Sequence, residues 1–139
     1  MKDAKIRVLI VRPNQEPEET WIQNELKSLQ ATVNGKIAFL PFDKNNQNVE
    51  VMHNSEYLFL AESDENFQFN RFVKSDYHTF ENRMALPQGV PVFGTFAITR
   101  INMKTGWQTS LTDKDVKKYK RIFKLAQLTQ QRTGGEENA

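Results

Sequence analysis

Between Glu62 and Pro91, five aromatic residues (Phe67, Phe69, Phe72, Tyr77 and Phe80) are interleaved with two Asn-Arg pairs, Asn70-Arg71 and Asn82-Arg83. A planar guanidinium holds a phosphate through paired hydrogen bonds, and an aromatic face stacks on a base, so these residue types in one stretch point to a nucleotide-like anionic ligand. On that reading Arg71 and Arg83 contact phosphate, Asn70 and Asn82 sit beside them, and Phe67, Phe69 or Phe72 stacks on the base. Thr95, in the nearby Gly94-Thr95-Phe96 segment, joins the candidate ligand-binding set. The competing reading places the phenylalanines in the core and turns the arginines onto loop carbonyls, and buried aromatics are the commoner case.

A second set of charges lies near the C-terminus. Lys114, Lys117, Lys118, Arg121 and Lys124 line one face of a predicted helix, and residues 114–132 carry seven positive charges against Asp115 alone. Such a face attracts a nucleic-acid backbone, an anionic ligand or an acidic protein surface. A lysine-rich last helix is more often a solvated face that complements the helix dipole.

Enzyme classes mostly fail on ingredients. The two histidines, His53 and His78, have no zinc-type spacing, and cysteine is absent, which removes thiolate metal sites and a disulfide framework. No nucleophile elbow, phosphate-binding P-loop or dinucleotide fingerprint occurs. The acidic cluster Glu62, Asp64 and Glu65 lacks the spaced oxygens and glycine of a calcium loop. The reading is therefore a non-enzymatic binder with no catalytic residue, no metal and no cofactor assigned.

The elements that must hold these residues are legible in places. Ile6 to Val11 is a β-branched run expected to be an interior strand, stopped by Pro13, with a hairpin return over Glu18 to Ile22. Asn24 is expected to cap a helix of Glu25 to Val33, with Gly35 as its left-handed C-terminal residue. Lys36 to Phe42 and Val49 to His53 read as a second hairpin around the polar loop 43–48, and Tyr57 to Ala61 as a further short strand. Residues 62–91 give no confident element, which marks either missed structure or a functional loop. Val92 to Thr99 then reads as one central strand, in which Gly94 marks a bulge or a close approach of another backbone or of a ligand, packing being the commoner case.

The last helix has the fullest signals. Thr112 is placed as N-cap with Asp115 three residues on, and Leu111 and Val116 as a hydrophobic staple. Val116, Tyr119, Phe123 and Ala126, with Ile122 alongside, follow as a core-facing stripe.

At 139 residues the chain reads as one α+β domain over residues 1–132, with a disordered tail at 133–139. The expected architecture is a mainly antiparallel sheet of five or six strands with two packed helices, the second at the C-terminus. No apolar run reaches membrane-spanning length and no secretory signal is evident, so the expected location is cytoplasmic, without membrane partners.

The succession Ile6-Arg7-Val8-Leu9-Ile10-Val11-Arg12-Pro13, Leu26 to Gly35, Asn70-Arg71, Gly94-Thr95-Phe96 and Ser110-Leu111-Thr112-Asp113 resembles the small domain-of-unknown-function family numbered thirty-eight-forty-six, over roughly residues 5 to 124. In that family pattern an Asn-Arg pair precedes the G-T-F strand, and Asn70-Arg71 and Asn82-Arg83 both qualify. The resemblance implies a phage or plasmid accessory protein, sometimes neighbouring or fused to antirestriction-type domains. The expected roles are sequestration of a nucleotide-like signal in counter-defence, inhibition of a host enzyme through an exposed sheet edge or the 62–91 loop, or nucleic-acid binding through the basic helix.

Overall fold

The β-branched run forms strand β1, Lys5–Val11, and turn chemistry at 12–17 returns the chain antiparallel as β2, Glu18–Gln23. These and the following elements come from a computed structural model that describes residues 2–76 and 89–125. Helix α1, Leu26–Val33, leads into the hairpin of β3, Ile37–Pro41, and β4, Val49–Asn54. A single helical turn, α2, spans Tyr57–Leu60. Strands β5, Phe69–Val73, and β6, Val90–Phe93, pair with one another, and β7, Phe96–Ile101, is followed by the two-residue β8, Gln108–Thr109. Helix α3 covers Asp113–Ile122.

The architecture is α+β, with antiparallel pairing throughout the described sheets. The main sheet has six strands in the order β2-β1-β7-β4-β3, with β8 added to β7, while β5 and β6 make a separate two-stranded sheet. Strand alternation divides the core in two. Leu9, Val11, Val49, Val51, Phe96 and Ile98 face α2, α3 and the small sheet, whereas Ile6, Val8, Ile10, Met52 and Ala97 face Leu29 and Val33 of α1. Each such buried aliphatic or phenyl side chain contributes about 1.5–3 kcal/mol.

Several local expectations are corrected by packing. Val92 to Thr99 is not one strand: the chain breaks at Gly94, φ 81°, and passes from the small sheet to the main one. A Cβ on Gly94 would stand 2.6 Å from Phe67 Cδ2, so the glycine serves a close approach of the chain to a core ring. Tyr57 to Leu60 is helical because Asn54 Oδ1 accepts the Glu56 N–H and starts a turn, after which Leu60 and Ala61 donate to the carbonyls of Glu56 and Tyr57. Helix α1 begins at Leu26 with Glu25 as its N-cap, which makes no side-chain cap bond. Asn24 is instead buried and donates to the carbonyls of Asp3 and Gln108. The left-handed C-cap is Asn34, φ 61°, one residue before Gly35.

The expected start signals of α3 are present, whereas Ile122, placed alongside the core-facing stripe, is 51% exposed and lies off it. Thr112 Oγ1 accepts the Asp115 N–H at 3.0 Å while Asp115 Oδ2 accepts the Thr112 N–H at 2.9 Å, and Leu111 and Val116 are both buried in the same cluster. Ala126 of the predicted stripe and the tail at 133–139 lie outside the described residues. Among the described residues no helix is long and apolar enough to cross a membrane.

Candidate functional site

The aromatic and arginine loop is divided by the fold. Phe67 is buried in the core, 3% exposed, beneath Gly94. Asn70 is also buried and donates from Nδ2 to the carbonyls of Val11 (2.8 Å) and Gly94 (2.7 Å), holding β5 against the end of β1. Arg71, 9% exposed, donates through Nε to Phe123 O (3.1 Å), through Nη1 to Arg12 O (3.2 Å) and Asn70 Oδ1 (2.7 Å), and through Nη2 to Gln15 O (2.6 Å). Burial lowers its pKa from the ordinary guanidinium value, against the opposing effect of Glu16. The expected phosphate contact at Arg71 is thus corrected. The guanidinium cross-links the β1–β2 turn, β5 and the end of α3, because a buried cation requires oxygens on every side.

Phe69 and Phe72 are at the surface of the small sheet, 4.9 Å apart between ring centroids, with Phe69 edge-on to Phe93 at 5.7 Å. Thr95 is half-buried at the approach to β7. These residues do not converge with Arg71 on a common hollow. Asn82, Arg83, Tyr77 and Phe80 lie outside the described residues.

The charged helix face does form a hollow. A cleft of about 630 Å³ runs between α3 and the loop after β3, lined by Asn45, Asn46, Arg100, Thr112, Lys114, Asp115, Lys117, Lys118 and Arg121. Lys114, Lys117 and Arg121 are exposed, and Lys118 is half-buried. Lys124 is exposed just past the helix and does not line the cleft.

The floor of this cleft is a polar network that fixes its shape. Arg100 projects from β7 onto the same side as Phe96 and Ile98, and its Nε and Nη2 donate to Asp115 at 2.8 and 3.1 Å. Arg100 Nη2 also donates to Asn46 Oδ1 at 2.9 Å, while Asn46 Nδ2 donates to Asp115 Oδ1 and to the Tyr119 hydroxyl oxygen. Burial alone would raise the Asp115 pKa, but hydrogen bonds from Arg100, the Thr112 N–H and Asn46 overcome it and hold the carboxyl down to about 2. The reciprocal bond to Asp115 raises the Arg100 pKa against burial.

Asp43 completes the network by accepting from Lys118 Nζ and the Tyr119 hydroxyl, each at 2.6 Å. Burial and the Asp43 carboxylate both push the Tyr119 phenol up, keeping it a neutral donor. The cleft therefore carries five cationic side chains against the single lining carboxylate Asp115, itself engaged by Arg100. Such a field concentrates anions, and the fixed Arg100 and Asn46 give it a defined floor.

Arg100, Asn45 and Asn46 were not among the residues the sequence singled out. One signal was available: alternation along β7 puts Arg100 on the buried side of the sheet, where a cation requires a carboxylate partner.

Fold and site together define a small α+β domain with two unequal antiparallel sheets and an electropositive cleft beside its last described helix. The chain belongs to the family described as domain of unknown function (DUF3846), whose model matches residues 6–124. No curated protein and no solved structure matches the chain.

Proposed function

We propose that this protein is a binding module for phosphate-bearing anions, held in the cleft between α3 and loop 43–46. The observation that carries this reading is the charge balance of the cleft: five cations, with its one lining carboxylate already engaged from within. Lys114, Lys117 and Arg121 form the accessible contact, Lys118 is anchored by Asp43, and Arg100 sets the floor. Lys124 extends the same charge beyond the helix. The lysines, arginines and amides of this arrangement hold an anion, and the role we infer from them is capture.

Calorimetric titration with inorganic polyphosphate tests the reading. Binding is expected at low salt and weakens steeply as salt rises, as displaced counterions require. Reversing Lys114, Lys117 and Arg121 together to Glu abolishes it, while stability changes by no more than about 1.5 kcal/mol, or about 0.5 kcal/mol for each surface residue. Absence of any heat with the unmodified protein at low salt refutes the proposal.

A second reading, contact with a protein partner such as a host enzyme, is favoured by one observation. Leu58 and Phe59 on α2 are 62% and 77% exposed, next to a hollow lined by His53, Ser55, Glu56 and Tyr57. On this reading Phe59→Ala and Leu58→Ala eliminate stoichiometric capture of the partner, and the charge-reversed helix retains it. Capture unchanged by the α2 substitutions would reject it.

A further inference from the structure

The basic cleft does not end at α3. Arg100 also lines a second hollow, of about 440 Å³, whose other walls include Asn48, Asn102, Met103, Lys104 and Thr109. The two hollows thus share a side chain, and together they run from the lysine face across the end of β7 to the turn between β7 and β8. Their chemistry changes along the way. The first is cationic with no aromatic residue in its lining, while the second is bordered by amides, one lysine and the exposed Met103.

Trp107 lines neither hollow but sits in the turn between β7 and β8, close in the chain to Met103, Lys104 and Thr109 of the second. Its carbonyl accepts the Asn102 N–H at 2.9 Å, which continues the β7–β8 ladder by one step. Alternation therefore puts Trp107 on the same side as Thr109, whose partner in register is Arg100. The indole is 47% exposed, and Lys2 Nζ lies over one face of the ring, 5.0 Å from its centroid, so a base stacks on the opposite face or displaces this lysine. The Asp3 carboxylate nearby accepts from the Thr109 hydroxyl at 3.0 Å.

Resting on the reading of the basic cleft given above, we propose that the partner is a single-stranded nucleic acid, its phosphates along α3 and an unpaired base stacked on Trp107. Lys114 and Arg121 are seven residues apart, roughly 10 Å along the helix, the length of about three stacked nucleotides. A cationic track joined to an aromatic platform is the general solution for binding single strands without regard to sequence. A duplex satisfies the track alone, because its base faces are already stacked. A mononucleotide satisfies only one end.

The test uses the full chain carrying Trp21→Phe, which leaves Trp107 as the sole tryptophan. Oligo-dT and oligo-rU of about 15 nucleotides, a duplex of the same length and inorganic polyphosphate are titrated at low salt. Both single strands are expected to quench Trp107 and to bind more tightly than the duplex. In a labelled-oligonucleotide anisotropy assay, Trp107→Ala weakens single-strand binding by about 5- to 150-fold, Trp107→Phe restores most of it, and polyphosphate affinity measured by calorimetry stays within about twofold. Equal binding of single strand, duplex and polyphosphate, unaffected by Trp107→Ala, overturns the single-strand proposal and leaves the charged cleft standing. No binding of any of the four probes removes both.

Discussion

Asp115→Asn is the substitution whose consequences the structure fixes most fully. The carboxylate is 4% exposed and accepts from Arg100, Asn46 and the Thr112 N–H at 2.8 to 3.1 Å. Its pKa falls from an ordinary 3.8 to about 2, and at 1.36 kcal/mol per pKa unit this contributes on the order of 2 kcal/mol to stability at neutral pH. The carboxyl is depressed in the folded state, so the contribution is fully present above pH 4 and is lost as pH falls through about 2.

The amide keeps the shape but removes the charge and directs an N–H₂ toward groups that are themselves donors. Urea denaturation at pH 7 should therefore show a loss of about 2–4 kcal/mol, at least the linkage value. Between pH 4 and pH 2 the unmodified protein loses stability faster than the variant, and the two curves approach one another. The same substitution leaves Arg100 uncompensated in the cleft, so polyphosphate affinity at pH 7 rises while stability falls. A variant within about 0.5 kcal/mol of the parent at pH 7, or one with an identical acid limb, would refute the assignment of Asp115 as the internal counter-ion.

Two further substitutions separate architecture from binding. Arg71→Met keeps the aliphatic stem but leaves the oxygens of Phe123, Arg12, Gln15 and Asn70 without their donor. It should cost about 3–5 kcal/mol in urea denaturation and leave polyphosphate affinity unchanged under folding conditions, whereas a stable variant with lost binding would return Arg71 to the ligand site. Gly94→Ala places a methyl 2.6 Å from the Phe67 ring at φ 81°, and a loss of about 2–4 kcal/mol is expected. A change under about 1 kcal/mol would show that the chain does not need glycine at the crossing between sheets.

The main elements were legible wherever their determinants lie within a few residues. The β-branched run at Ile6 to Val11, the turn after Pro13 and the Thr112–Asp115 box depend on neighbours in sequence, and each appears where its pattern puts it. Strand β5 is not legible, because two adjacent buried polar residues, Asn70 and Arg71, and a register shift between Phe69 and Arg71 erase the apolar alternation that identifies a strand. The stretch Tyr57 to Ala61 reads as a strand but forms a helical turn at Tyr57–Leu60, since a short unbroken apolar run carries neither period.

The basic face was visible as a stripe of lysines, but a stripe is not a cleft. What makes it one is Asn46, Arg100 and Asp115 meeting across separations of 15 to 69 residues. Sequence alone determined the elements with local signals, β1, β2 and α3 among them, and the sign of the charge at the C-terminal end, all being properties of short stretches of chain. Tertiary structure alone decided which arginine is interior and which lines the cleft. A guanidinium can be buried only where distant segments bring oxygens to it, and that meeting happened at Arg71 through Phe123, Arg12 and Gln15.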